Sequence, residues 1–115
     1  MRVTRESKGI WRGAKIAEED LVMGDAFVVP VDIPAGVSKA TFDLVWRRNW
    51  SKFPTSDIDM LLFDPDFNLV SLDGATLNAP ERIVVEDPVA GTWSVYIEGF
   101  EMYFKDHFKL FMKKK

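Results

Sequence analysis

The chain has no cysteine and only one histidine, His107. Without thiols there is no disulfide, no thiolate metal site and no cysteine nucleophile. Any Ser-His-Asp arrangement would have to pass through His107, and zinc would need carboxylates to complete its shell. No Gly-x-Ser-x-Gly elbow is present either. No apolar run approaches the roughly 20 residues of a membrane span. The opening Met1-Arg2-Val3-Thr4-Arg5-Glu6 lacks the apolar segment of a signal peptide. A basic surplus is missing as well: 18 acidic residues against 15 Lys and Arg give a net charge of −3 and a pI near 5.1. Nucleic acid therefore finds no electrostatic footprint.

What is present is a short chain with a normal core content. At 115 residues and 47% hydrophobic it is one domain, long enough to bury an apolar interior. Residues 1–20 are mixed and charged and read as an irregular lead-in, with one strand around Gly9 to Ile16; residues 21–115 read as a single β-sandwich domain. Gly24-Asp25 opens the strand Ala26–Val31, where Pro30 demands an edge position or a bulge. Lys39–Trp46 alternates, with Phe42, Leu44 and Trp46 on one side and Thr41, Asp43 and Val45 on the other. Further strands are expected over Asp57–Phe63, Leu69–Leu72, Glu81–Glu86, Thr92–Glu98 and Phe104–Met112. About seven to eight short strands at turn-punctuated spacing, without a helical period, predict an all-β, antiparallel, jelly-roll-like sandwich.

The most unusual stretch is Asp57-Ile58-Asp59-Met60-Leu61-Leu62-Phe63-Asp64-Pro65-Asp66-Phe67-Asn68. It alternates acid and apolar residues and then breaks at Asp64-Pro65-Asp66, a turn signal in which Pro presets φ and Asp caps its own backbone. Asp57 and Asp59 point to one strand face about 6 to 7 Å apart, beside Leu61 and Phe63, with Asp64 and Asp66 just beyond. Ca²⁺ takes six to eight oxygens of this kind. Either a hard cation sits among these four carboxylates, or Arg47, Arg48 or Lys52 pairs with them, or the strand end is wet. Asp25, Asp73, Glu86 and Asp87 are weaker candidates that also fit ordinary turn chemistry.

Several segments in order carry a resemblance. A strand ending in Trp46 is followed by Asp57-x-Asp59-x-x-x-x-Asp64-Pro65-Asp66, then Pro80-Glu81, then Pro88-Val89-Ala90-Gly91-Thr92-Trp93-Ser94-Val95. Taken together these resemble the bacterial and archaeal pre-peptidase C-terminal (PPC) domain, over roughly Asp25 to Met112. That family is a small β-sandwich found behind the catalytic domain of secreted proteases, especially subtilisin-like ones, and related in architecture to jelly-roll P domains. The resemblance implies a non-catalytic, extracellular or cell-surface accessory domain. It would stabilise its parent protease, hold protein substrate, and use calcium at Asp57, Asp59, Asp64 and Asp66. A secreted parent would carry its signal peptide elsewhere, so this chain is expected to be a C-terminal piece. The family's turn usually continues with Gly, whereas here it reads Asp66-Phe67-Asn68. Phe67 resists a positive φ, so Asn68 is expected to take that role, or the turn type differs.

A second function class stays open beside the first. Trp46 and Trp93 sit at core parity, but Trp50 lies in a polar loop with Arg47, Arg48 and Asn49. An exposed Trp beside Arg suits a polypeptide or glycan contact. The alternative is a free-standing carbohydrate- or fibrous-protein-binding module working through Trp50 and Tyr96. His107, opposite Phe108 on its strand, reads as a surface or pairing residue.

Overall fold

The structure is a computed structural model that describes residues 2–6, 13–22, 24–46, 57–70, 81–101 and 106–115. Among these, the strands are β1 (Arg2–Glu6), β2 (Ala14–Leu21), β3 (Ala26–Ile33), β4 (Lys39–Trp46), β5 (Asp57–Phe63), β6 (Glu81–Glu86), β7 (Gly91–Glu101) and β8 (Asp106–Lys114). They form a five-stranded sheet, β1-β6-β4-β8-β2, and a three-stranded sheet, β3-β7-β5, antiparallel throughout. From β2 onward every successive strand changes sheet. Alternation of this kind, closed around one core, is the jelly-roll arrangement of a β-sandwich. The fold class expected from the sequence is the one observed. Among the described residues no helix is long and apolar enough to cross a membrane.

Period-two alternation explains why these segments pair face to face. In β4, Ala40, Phe42, Leu44 and Trp46 are buried; in β5, Ile58, Met60 and Leu62; in β7, Trp93, Val95 and Ile97. With Phe108, Leu110 and Met112 of β8 and Ile83 and Val85 of β6, they form one cluster between the sheets. The rings of Phe27 and Phe108, one from each sheet, meet at 5.7 Å and 58°, the tilted geometry that aromatic quadrupoles favour. Trp93 is fully buried and satisfies its indole N–H by donating to the Val89 carbonyl at 2.9 Å. Truncating such a side chain costs about 3–5 kcal/mol. Trp46 is also buried, with no partner for Nε1 among the described residues.

β3 pairs only with β7, so Pro30 lies on an edge strand, where its missing N–H breaks the row of donors that would template another chain. Residues 1–20, expected as an irregular lead-in, hold β1 and β2 instead. β1 extends the large sheet beside β6, and β2 closes its far side beside β8. Both are edge strands, and β2 carries a register shift between Lys15 and Ala17 that leaves Ile16 partly exposed. A bulge and a half-wet edge erase the apolar alternation by which the inner strands are recognised. Leu69, expected to open a short strand, makes a single bridge to Phe63; Ser71 and Leu72 lie outside the described residues.

Candidate functional site

The acidic segment runs along β5 into the turn Asp64–Asn68. Two main-chain bonds close that turn: Phe67 N–H donates to the Asp64 carbonyl at 2.9 Å, and Asp64 N–H to the Asn68 carbonyl at 3.0 Å. The Asp64 carboxylate does the rest. Its Oδ1 accepts the N–H groups of Asp66 and Asn68, each at 2.9 Å, and its Oδ2 accepts Asn68 Nδ2 at 3.3 Å. Asp64 is thus the internal cap of its own turn, as Asp-Pro turn chemistry anticipates.

The positive-φ position falls on Phe67, at φ 60, and Asn68 does not take it. This corrects the sequence expectation, and the cause lies in those bonds. Asp64 Oδ1 clamps the N–H on either side of Phe67, so the chain must turn left-handed between them. Left-handed backbone costs a non-glycine residue about 1–2 kcal/mol. The Phe67 ring meanwhile stands 76% exposed.

The four candidate carboxylates are placed differently from one another. Asp59 is 7% exposed although it lies on the outward parity of β5, opposite Glu98 of β7. Asp57 pairs in register with Glu101, and its side chain lies outside the described residues. Asp64 turns its oxygens onto its own turn, and Asp66 is exposed. Among the described residues no three acidic or histidine side chains converge closely enough to hold a metal ion. Asp25, a weaker candidate, likewise caps a turn by accepting Val22 N–H at 3.1 Å. Trp50, with Arg47, Arg48 and Lys52, lies outside the described residues, as does Asp73.

His107 is 45% exposed and held between two carboxylates of β2. Nε2 lies 2.7 Å from Glu18 Oε2, and Nδ1 2.8 Å from Asp20 Oδ1. Hydrogen bonds to Glu18, then Asp20, hold its pKa above the usual 6.5. Glu18 also pairs with Lys15 at 2.8 Å, and this bond, followed by that to His107, brings its pKa down to about 2. Both imidazole nitrogens are thereby engaged as donors to carboxylates. The imidazolium is therefore a pairing group between β8 and β2.

Tyr96, a contact candidate from the sequence, gains neighbours that its own segment does not reveal. On the outward face of the three-stranded sheet, Val28, Tyr96 and Leu61 form one cross-strand row, and Pro30, Ser94 and Phe63 the next. Val28, Phe63, Phe67, Ser94 and Tyr96 line an open, almost wholly apolar hollow of about 200 Å³. The available signal was apolar side chains, Val28 and Phe63, at positions whose parity points away from the core.

No protein-family model matches this chain. It is similar to pyrolysin of Pyrococcus furiosus. The two are 35% identical over 79 residues, which is 69% of this chain and 5% of pyrolysin. The chain therefore spans a small part of that relative's length.

Proposed function

We propose that this chain is a non-catalytic accessory domain of an extracellular, subtilisin-like protease. The similarity to pyrolysin carries this reading, because pyrolysin belongs to that protease class and the match is the size of one module within a far longer protein. The jelly-roll sandwich fits it, as does the ordered set of PPC-like segments from Trp46 to Val95. The proposed role is to stabilise the parent enzyme and to hold its protein substrate. Calcium, drawn by Asp57, Asp59, Asp64 and Asp66, is the proposed structural ion, and an extracellular location follows from the parent.

The test is to compare a subtilisin-like catalytic domain with and without this chain fused behind it. The fusion should keep its caseinolytic activity longer at elevated temperature, while the chain alone should turn over neither casein nor small esters. Identical inactivation half-lives would remove the stabilising role. Turnover by the chain alone that is lost in His107→Ala would overturn the non-catalytic assignment.

A further inference from the structure

The two sheets carry very different charge. The strands of the three-stranded sheet contain Asp32, Asp57, Asp59, Glu98 and Glu101 and no Lys or Arg. The five-stranded sheet carries Arg2, Arg5, Lys15, Lys39, Arg82, Lys109, Lys113 and Lys114, matched one for one by acids. Asp64 and Asp66 add two more carboxylates at the end of β5. The acid-only sheet is also the one that turns the apolar hollow outward, with Val28 61% and Phe67 76% exposed. Apolar side chains so exposed, on a sheet whose strands carry only acidic charge, mark an interaction surface.

We infer that this face docks an extended, cationic segment of another polypeptide. The cross-strand rows set the fit. Rows lie about 6.7 Å apart along the strands, which is also the spacing of alternate side chains on an extended guest. A guest residue seated against Phe67, Phe63 and Tyr96 would place its second neighbour over Glu98, which shares the outward face of β7 with Tyr96. Burial first, and then the charge of Glu98 beside it, raise the Tyr96 pKa, so the two groups are neighbours on that face. A Lys or Arg stem covers apolar surface while its head reaches a carboxylate, and the head is attracted to aromatic faces. Phe67 supports a binding role independently of charge, because a Phe occupies a strained backbone position and leaves its ring in solvent. Neither choice serves the fold.

This deepens the substrate-holding part of the proposed function but is read from the face alone, so the protease fusion and the following titration can fail separately. The probe is an eight-residue peptide of alternating Lys and Phe, titrated into the ¹⁵N-labelled protein. Peptides with Glu or Ser in place of Lys serve as controls. Amide shifts should map to β3, β7, the end of β5 and the 64–68 turn, and added salt should weaken binding. Phe67→Gly removes the ring while relaxing the positive φ, so it leaves the fold intact, and it should weaken binding about tenfold or more. Glu98→Gln should weaken it less and flatten the salt dependence, while Glu19→Gln on β2 should change nothing. Equal binding of the Glu peptide would overturn the cationic assignment. Shifts confined to the five-stranded sheet would overturn the face, as would no shift with any peptide. A concentration-dependent dimer lost in Phe67→Gly would make a second copy the occupant instead and overturn the proposal.

Discussion

Gly91, at the start of β7, lies against Pro65 of the acidic turn so closely that a Cβ there would stand 2.7 Å from Pro65 Cγ. Gly91 also has φ 139, a backbone that side chains rarely adopt. The β6–β7 connection thus buttresses the Asp64–Asn68 turn through the one residue type able to approach a proline ring so nearly. Gly91→Ala should destabilise the domain by about 2–4 kcal/mol, combining overpacking with backbone strain. Adding Pro65→Gly, which removes both Cγ and the Cβ that would stand 2.9 Å away, should recover the steric part and leave the strain. Thermal melts of the four-member cycle measure the coupling, and additive losses would disprove the contact.

Asp43 of β4 and Arg82 of β6 are direct cross-strand partners joined by a forked pair, Nε to Oδ1 and Nη2 to Oδ2. The Asp43 side chain is 5% exposed and that of Arg82 18%. Removing the arginine leaves a buried carboxylate without its main counter-charge. Arg82→Ala should therefore cost about 3 kcal/mol in urea unfolding, while the double replacement Asp43→Val with Arg82→Leu should cost less. A double variant as unstable as the single would show that the cost is packing and not charge.

The Glu18–His107–Asp20 bridge makes stability pH-dependent at both ends. His107 has a raised folded pKa, so its contribution is complete below the unfolded value of 6.5 and fades as pH rises through the folded one. Glu18 is lowered to about 2, so its contribution is present above 4.5 and is lost as pH falls toward about 2. Proton NMR of the imidazole should give a midpoint above 6.5, moved back toward it by Glu18→Gln. The melting difference between the parent and His107→Gln should shrink from pH 6 to pH 9. A difference constant across that range would mean that His107 does not titrate against its partners.

If calcium is held by the acidic stretch, millimolar CaCl₂ should raise the melting temperature by several degrees over EDTA. A ligand at 100 times its Kd adds about 2.7 kcal/mol. Mg²⁺ should do less, because it gives up water reluctantly. Asp57→Asn and Asp59→Asn should abolish the shift. Asp64→Asn should lower the melt in EDTA as well, because that carboxylate caps its own turn. An unchanged melt in the parent would remove the ion.

The sequence alone determined several of the strands and the core. Lys39–Trp46, Asp57–Phe63 and Glu81–Glu86 were legible to the residue, and Trp46 and Trp93 fell inside as their parity required, because period-two burial is written locally. Pro30 likewise called for an edge position or a bulge through its missing donor, and the edge is what the sheet provides. Other features depended on residues far apart in the chain. β1 and β2 are held by partners some 80 to 100 residues away, and the bulged, partly exposed surface of β2 says little by itself. Phe67 takes a left-handed backbone because Asp64 clamps both of its neighbours, which propensity would have assigned to Asn68. The acid-only apolar face exists only once β3, β5 and β7 are gathered into one sheet. Which strands share a sheet is decided by burying one core from two sides, and that sorting separated the charges.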